Sequence, residues 1–147
     1  MKIAVGCDHG GFALKESLIP YIRALGHEVK DFGCYSEQSI DYPDYAFPAA
    51  EAVACGAYER GVLICTTGIG MSICANKVKG IRCALCSDAF GAEMTRRHNN
   101  SNILALGQKI VSEQTAREIV GIWLSTEFEA GRHLRRINKI SDYEKTH

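Results

Sequence analysis

The chain has 147 residues, with 17 basic and 17 acidic side chains and a formal net charge of zero. That length predicts a single domain over 1–147, large enough to bury a core. Apolar residues at 46% and charged residues at 23% exclude a disordered chain, and the charge balance excludes a broad nucleic-acid-binding face.

Residues 2–7 read as a short apolar strand, broken by Asp8-His9-Gly10-Gly11. That stretch is too short for a signal peptide and no apolar run approaches a membrane span, so the expectation is a cytoplasmic protein without membrane contact. Residues 12–25 carry apolar side chains at 14, 18, 21, 22 and 25, a helical spacing closed by Gly26. Pro20 predicts a kink or early break in that helix. A second strand is expected over 28–32, a polar loop over 33–43, and an Ala-rich helix over 44–55. The third strand covers 61–65; Thr66-Thr67-Gly68-Ile69-Gly70 leaves it, and a helix begins over 71–77. Strand four is expected over 81–86, followed by Asp88 as N-cap and a helix over 89–97. Strand five covers 103–106, and Ser112 caps a helix with Ala116, Ile119, Val120 and Trp123 on one face. A basic helix over about 131–140 closes the pattern.

Short apolar strands, each followed by a helix, imply parallel strands joined by crossovers. The expected fold is α/β: a single-domain three-layer α/β/α sandwich with a five-stranded parallel, Rossmann-like sheet. In such sheets ligands bind beyond the carboxyl ends of the strands, near a reversal of strand order. The loops after strands one and three open onto one crevice if those strands are neighbours.

Seven cysteines, at 7, 34, 55, 65, 74, 83 and 86, form no disulfide framework, and reduced thiols are the default. Cys83 and Cys86 match C-x-x-C, but on a strand their side chains point to opposite faces and cannot share a metal or a disulfide. The five histidines show no close metal-ligand spacing, so no metal is expected.

The segment Cys65 to Ser72 is the strongest local feature: a strand, a Gly-containing turn and a helix start. Amides at that start can hold an anion, and the same field favours a thiolate at Cys65. A buried strand-end cysteine with purely structural glycines is the equal alternative. Met71 excludes the C-x5-R of cysteine phosphatases, and Gly6 to Gly11 lacks the G-x-G-x-x-G spacing of dinucleotide sites. His9 lies where it can donate to a phosphate or hydroxyl, or simply hold its loop. His98 ends a helix ahead of a polar Asn-rich loop. Arg132 and Arg136 share a helix face and can clamp a phosphate, or belong to a solvated basic surface.

Together these segments resemble ribose-5-phosphate isomerase type B, of the sugar-phosphate isomerase family that includes galactose-6-phosphate isomerase. The resemblance rests on Gly6-Cys7-Asp8-His9 with Gly11-Phe12, Asp41-Tyr42-Pro43, Cys65 with Thr67-Gly68-Ile69-Gly70, and Ala75-Asn76-Lys77. It continues through Gly80-Ile81-Arg82, His98-Asn99 with Asn102, and Gly131-Arg132-His133 with Arg136. It implies a pentose-phosphate-pathway enzyme interconverting ribose 5-phosphate and ribulose 5-phosphate without cofactor. Isomerisation of a six-carbon sugar phosphate, such as allose 6-phosphate or galactose 6-phosphate, is the alternative; His98-Asn99 favours the pentose. Cys65 matches the base, His98 the ring-opening acid, and Thr67 with the backbone amides from Gly68 to Ser72, those of Gly68, Ile69 and Gly70 among them, the enediolate cradle. Asp8, His9, Thr66 and Asn99 match substrate contacts, and Arg132 with Arg136 the phosphate clamp. Thr66 stands where the family usually has Gly, and Lys109, a further implied substrate contact, where Arg is common. The resemblance also implies a homodimer or dimer of dimers, with the C-terminal helix reaching a partner subunit to share active sites.

Overall fold

A computed structural model describes residues 1–147. The strands are β1 (Lys2–Cys7), β2 (Glu28–Asp31), β3 (Arg60–Cys65), β4 (Cys83–Leu85) and β5 (Ile103–Gly107). The helices are α1 (Phe12–Ala24), α2 (Pro43–Ala54), α3 (Ile69–Ala75), α4 (Ala89–Asn99), α5 (Glu113–Ser125) and α6 (Arg132–Thr146). All strand pairs are parallel, in the order β2-β1-β3-β5-β4. The expected α/β/α sandwich is therefore present, and strand order reverses between β1 and β3.

Alternation along the strands divides the core into two layers. Ile3, Val5, Val62, Ile64, Leu104 and Leu106 pack with α1 and α5, whose Leu18, Ile22, Ile119 and Trp123 are fully buried. On the other face Ala4, Leu63, Cys65 and Ile103 pack against Ala46, Ala49 and Ala50 of α2 and Met71 and Cys74 of α3. Cys83 contacts the second layer and Cys86 belongs to the first. The C-x-x-C pair thus faces two ways, as strand geometry requires.

Local chemistry sets the element ends. Asp88 accepts from Gly91 N at 2.6 Å and Ser112 from Thr115 N at 3.1 Å, the two expected N-caps. Gly26 adopts φ +96° and ends α1. The expected break at Pro20 is corrected: α1 runs through it, because Pro20 and Glu16 lie on the exposed stripe where the freed carbonyl meets water. Strand β4 is shorter than expected at both ends, and at its start Arg82 N is taken by Asn102 Oδ1 at 2.8 Å. Helix α6 extends to Thr146, past the expected end near 140. No helix is long and apolar enough to cross a membrane.

Candidate active site

The reversal between β1 and β3 brings the loops after them together. Asp8 N donates to Ile64 O at 3.1 Å, joining the end of β1 to that of β3. Asp8 is buried, and one carboxylate oxygen accepts from Gly10 N at 2.9 Å, capping a single 3-10 turn. His9 Nδ1 accepts from Ile40 N at 3.2 Å, which leaves Nε2 as the donor of the neutral ring.

Cys65 ends β3 and is buried, its sulfur facing the start of α3. Gly68 N donates to Cys65 Sγ at 3.0 Å, placing a donor where charge resides once the thiol gives up its proton. Gly68 adopts φ +78°, and a Cβ there would lie 2.5 Å from Leu85 Cδ1 and 2.9 Å from the Leu106 carbonyl carbon. Only glycine makes this turn. Ile69 N is engaged by Thr67 Oγ1 at 3.3 Å, and the first-turn amides of Gly70 and Met71 remain the open donors. Lys109 N donates to Thr66 O at 3.0 Å, so Lys109 supports the loop through its backbone while its side chain is exposed. Thr66 does not take positive φ and is unstrained.

Thr67 and Ile69 border a cavity of about 240 Å³, completed by Leu85, Cys86, Ser87, Gly107 and Ile110. The Tyr42 ring covers Gly70, where a Cβ would meet it at 3.0 Å. Sequence reasoning did not place Tyr42, Leu85 or Ser87 at this site; only the fold returns α2 and β4 to the loop. Burial pushes the thiols of Cys7, Cys74, Cys83 and Cys86 upwards, with Cys86 reaching about 11 beside Asp88. Those thiols stay protonated and unreactive at neutral pH.

His98, Asn99, Arg132 and Arg136 lie elsewhere. Helix α4 runs back across the sheet, and Asn99 O accepts from Arg82 Nε at 2.9 Å, just ahead of β4. Asn102 O accepts from Gly61 N at the start of β3. His98 and Asn99, which close α4 just before these residues, therefore sit towards the strands' amino edge, while Cys65 ends β3, a six-residue strand that spans roughly 20 Å between the two edges. Within one chain the two groups do not meet.

At that edge His98 stacks on His133, with ring centroids 4.2 Å apart and 13° between planes. Desolvation, then the facing His98, Arg132 and Arg136, hold His133 below the ordinary imidazole value, against Glu129. A group of potential ligand side chains that sequence spacing does not reveal also lies here. Ligand atoms of His98, Glu129 and His133 lie within 4.8 Å of one another. Packing of α6 on α4 assembles them from positions too far apart in sequence for spacing to reveal.

The sequence model of the Ribose/Galactose Isomerase family matches residues 3–140. Ribose-5-phosphate isomerase B of Escherichia coli is 45% identical over 144 residues, covering 98% of this chain and 97% of that protein. D-erythrulose-4-phosphate isomerase of Pectobacterium atrosepticum is 41% identical, covering 98% of this chain and 95% of that protein. The structure of Clostridium thermocellum ribose-5-phosphate isomerase B superposes with a TM-score of 0.97 at 49% identity, covering 99% of each chain. A cysteine and open amides at the switch point, and kinship over nearly the whole length, place the chain in the Ribose/Galactose Isomerase family.

Proposed function

We propose that the chain is an aldose–ketose isomerase that interconverts D-ribose 5-phosphate and D-ribulose 5-phosphate in the pentose phosphate pathway. The observation that carries this reading is Cys65 Sγ, 3.0 Å from Gly68 N, beside the open amides of Gly70 and Met71. Proton transfer next to a carbonyl needs a base and a preorganised home for the resulting oxyanion, and both stand here. Cys65, as thiolate, takes the C2 proton of the open-chain aldose as charge moves to O1, and the O2 hydroxyl proton passes to O1 so that C2 can become the ketone carbon. Thr67 and the open amides of Gly70 and Met71 stabilise the enediolate, and the proton returns at C1. Asp8, His9 and Thr66 contact the sugar, with His9 Nε2 donating towards the phosphate end. His98 delivers the proton to the ring oxygen during opening, Asn99 holds a hydroxyl, and Arg132 with Arg136 clamp the phosphate.

These last four residues belong to a second copy. The separation of the two groups along β3 leaves each incomplete alone, and a two-fold dimer joins one chain's Cys65 edge to its partner's His98 edge. The chain then works as a homodimer or dimer of dimers on a small sugar phosphate.

The test is isomerisation of ribose 5-phosphate by purified protein with excess chelator present. The reading expects ribulose 5-phosphate formation with solvent hydrogen entering at carbon. Faster turnover of allose 6-phosphate or a four-carbon sugar phosphate would reassign the substrate, and no turnover of any would overturn the reading.

A further inference from the structure

We propose that His98, Glu129 and His133 bind a divalent transition ion, Zn²⁺ above all, and that its binding switches the isomerase off. Two imidazoles and a carboxylate are the donor set of open zinc sites, which keep a fourth position for water. One ligand atom from each residue lies within 4.8 Å of the other two. Tetrahedral coordination places donors roughly 3.3–3.4 Å apart, so the site closes when the stacked rings of His98 and His133 turn out of parallel until their lone pairs converge.

An independent observation points to a ligand. His133 is 6% exposed, and its Nε2 is a buried side-chain polar atom without a hydrogen-bond partner. That nitrogen faces Glu129 Oε2 at 4.0 Å. Glu129 fixes its other oxygen, Oε1, on Arg97 Nε at 3.0 Å, so Oε2 is oriented and remains a donor. Buried polar atoms are ordinarily satisfied, and a metal taking the Nε2 lone pair satisfies this one. Arg132 and Arg136, which face His133 from its own helix, oppose a cation. Together with Arg97, which is paired to Glu129, they weaken its binding.

The inhibition rests on the role proposed for His98. An imidazole whose lone pair is held by a metal carries no proton to the sugar ring, so ring opening stops while Cys65 is untouched. The ion is an inhibitor here and takes no part in the isomerisation.

The test is titration of the metal-free full-length protein with Co²⁺, read by visible absorption, and with Zn²⁺, read by isomerase rate. We expect d–d bands without a thiolate-to-metal charge-transfer band. Glu129→Gln, at an exposed position, and His133→Asn should each weaken Co²⁺ binding about a hundredfold. Zn²⁺ should inhibit the wild type, a chelator should restore it, and the activity that Glu129→Gln retains should resist zinc to the same degree. A thiolate charge-transfer band, no binding, or equal affinity in wild type and Glu129→Gln would overturn the site. Binding that follows the variants but leaves turnover untouched would uphold the site and overturn the role of His98.

Discussion

A Cβ added to Gly10 would overlap Thr66 Oγ1 and lie 3.1 Å from Thr66 N and 3.2 Å from its Cβ. The loops after β1 and β3 therefore fit as a bulky residue against a gap, with Thr66 filling the space that Gly10 leaves. This explains how Thr66 is accommodated without a positive φ at 66. Gly10→Ala should cost about 1–3 kcal/mol through overpacking and lower kcat/KM by displacing the loop beside Cys65. Adding Thr66→Gly should recover part of both losses, because the two residues are in direct contact. Additive effects in the double-mutant cycle would contradict the coupling.

Lys15 provides a stability test. Its side chain is fully buried, and Nζ donates to Asp31 Oδ2 at 2.6 Å. Lys15→Met leaves the Asp31 carboxylate, 27% exposed, without its partner. The loss should be about 3 kcal/mol, the low end for a broken buried pair. Burial acts to lower the Lys15 value, but the hydrogen bond and charge of Asp31 outweigh it and leave the ammonium above its ordinary 10.5. A raised folded value gives stability that is complete below pH 10.5 and is lost as pH climbs through the folded value. Denaturant melts of wild type and Lys15→Met should therefore converge in strong alkali. A gap that widens there would refute the assignment.

Much of this molecule is legible in its sequence, and the remainder has a common physical cause. Apolar runs such as Ile103 to Leu106 can only be buried strands, and Ala116, Ile119, Val120 and Trp123 mark the core face of α5. Asp88 and Ser112 announce their caps, and Cys65 to Gly70 announces a glycine-containing strand-to-helix turn. Tyr42 over Gly70, Leu85 and Ser87 beside Thr67, and Glu129 with His133 beside His98 are products of packing between distant segments. No local periodicity encodes them. Helix α6 outran its expected end because the stretch after Ile140 is polar, so burial gave no signal there.

The arginines should act on binding. The phosphate does not react, so its clamp supplies affinity and positioning rather than proton transfer. Arg132→Ala or Arg136→Ala should weaken binding of a sugar phosphate by about 1.5–3 kcal/mol per charge-assisted contact. A smaller fall in kcat is expected from poorer orientation. Steady-state kinetics with calorimetric binding separates the two, and a large kcat loss at unchanged affinity would contradict the clamp.

Shared sites predict complementation. Inactive Cys65→Ala chains mixed with inactive His98→Ala chains, under conditions of subunit exchange, should regain part of the activity. Each mixed dimer holds one site with both residues intact. Exchange proven by mass spectrometry with no recovery would place all the machinery within one chain.

The central claim is that Cys65 moves the proton. Its most direct test is exchange of the substrate's C2 hydrogen with solvent deuterium by Cys65→Ala, followed by NMR. The account predicts that turnover and C2 exchange vanish together while sugar-phosphate binding stays near the wild-type level, since Cys65 acts only in proton transfer. Deuterium incorporation or turnover near the wild-type rate would place the base elsewhere and contradict the account.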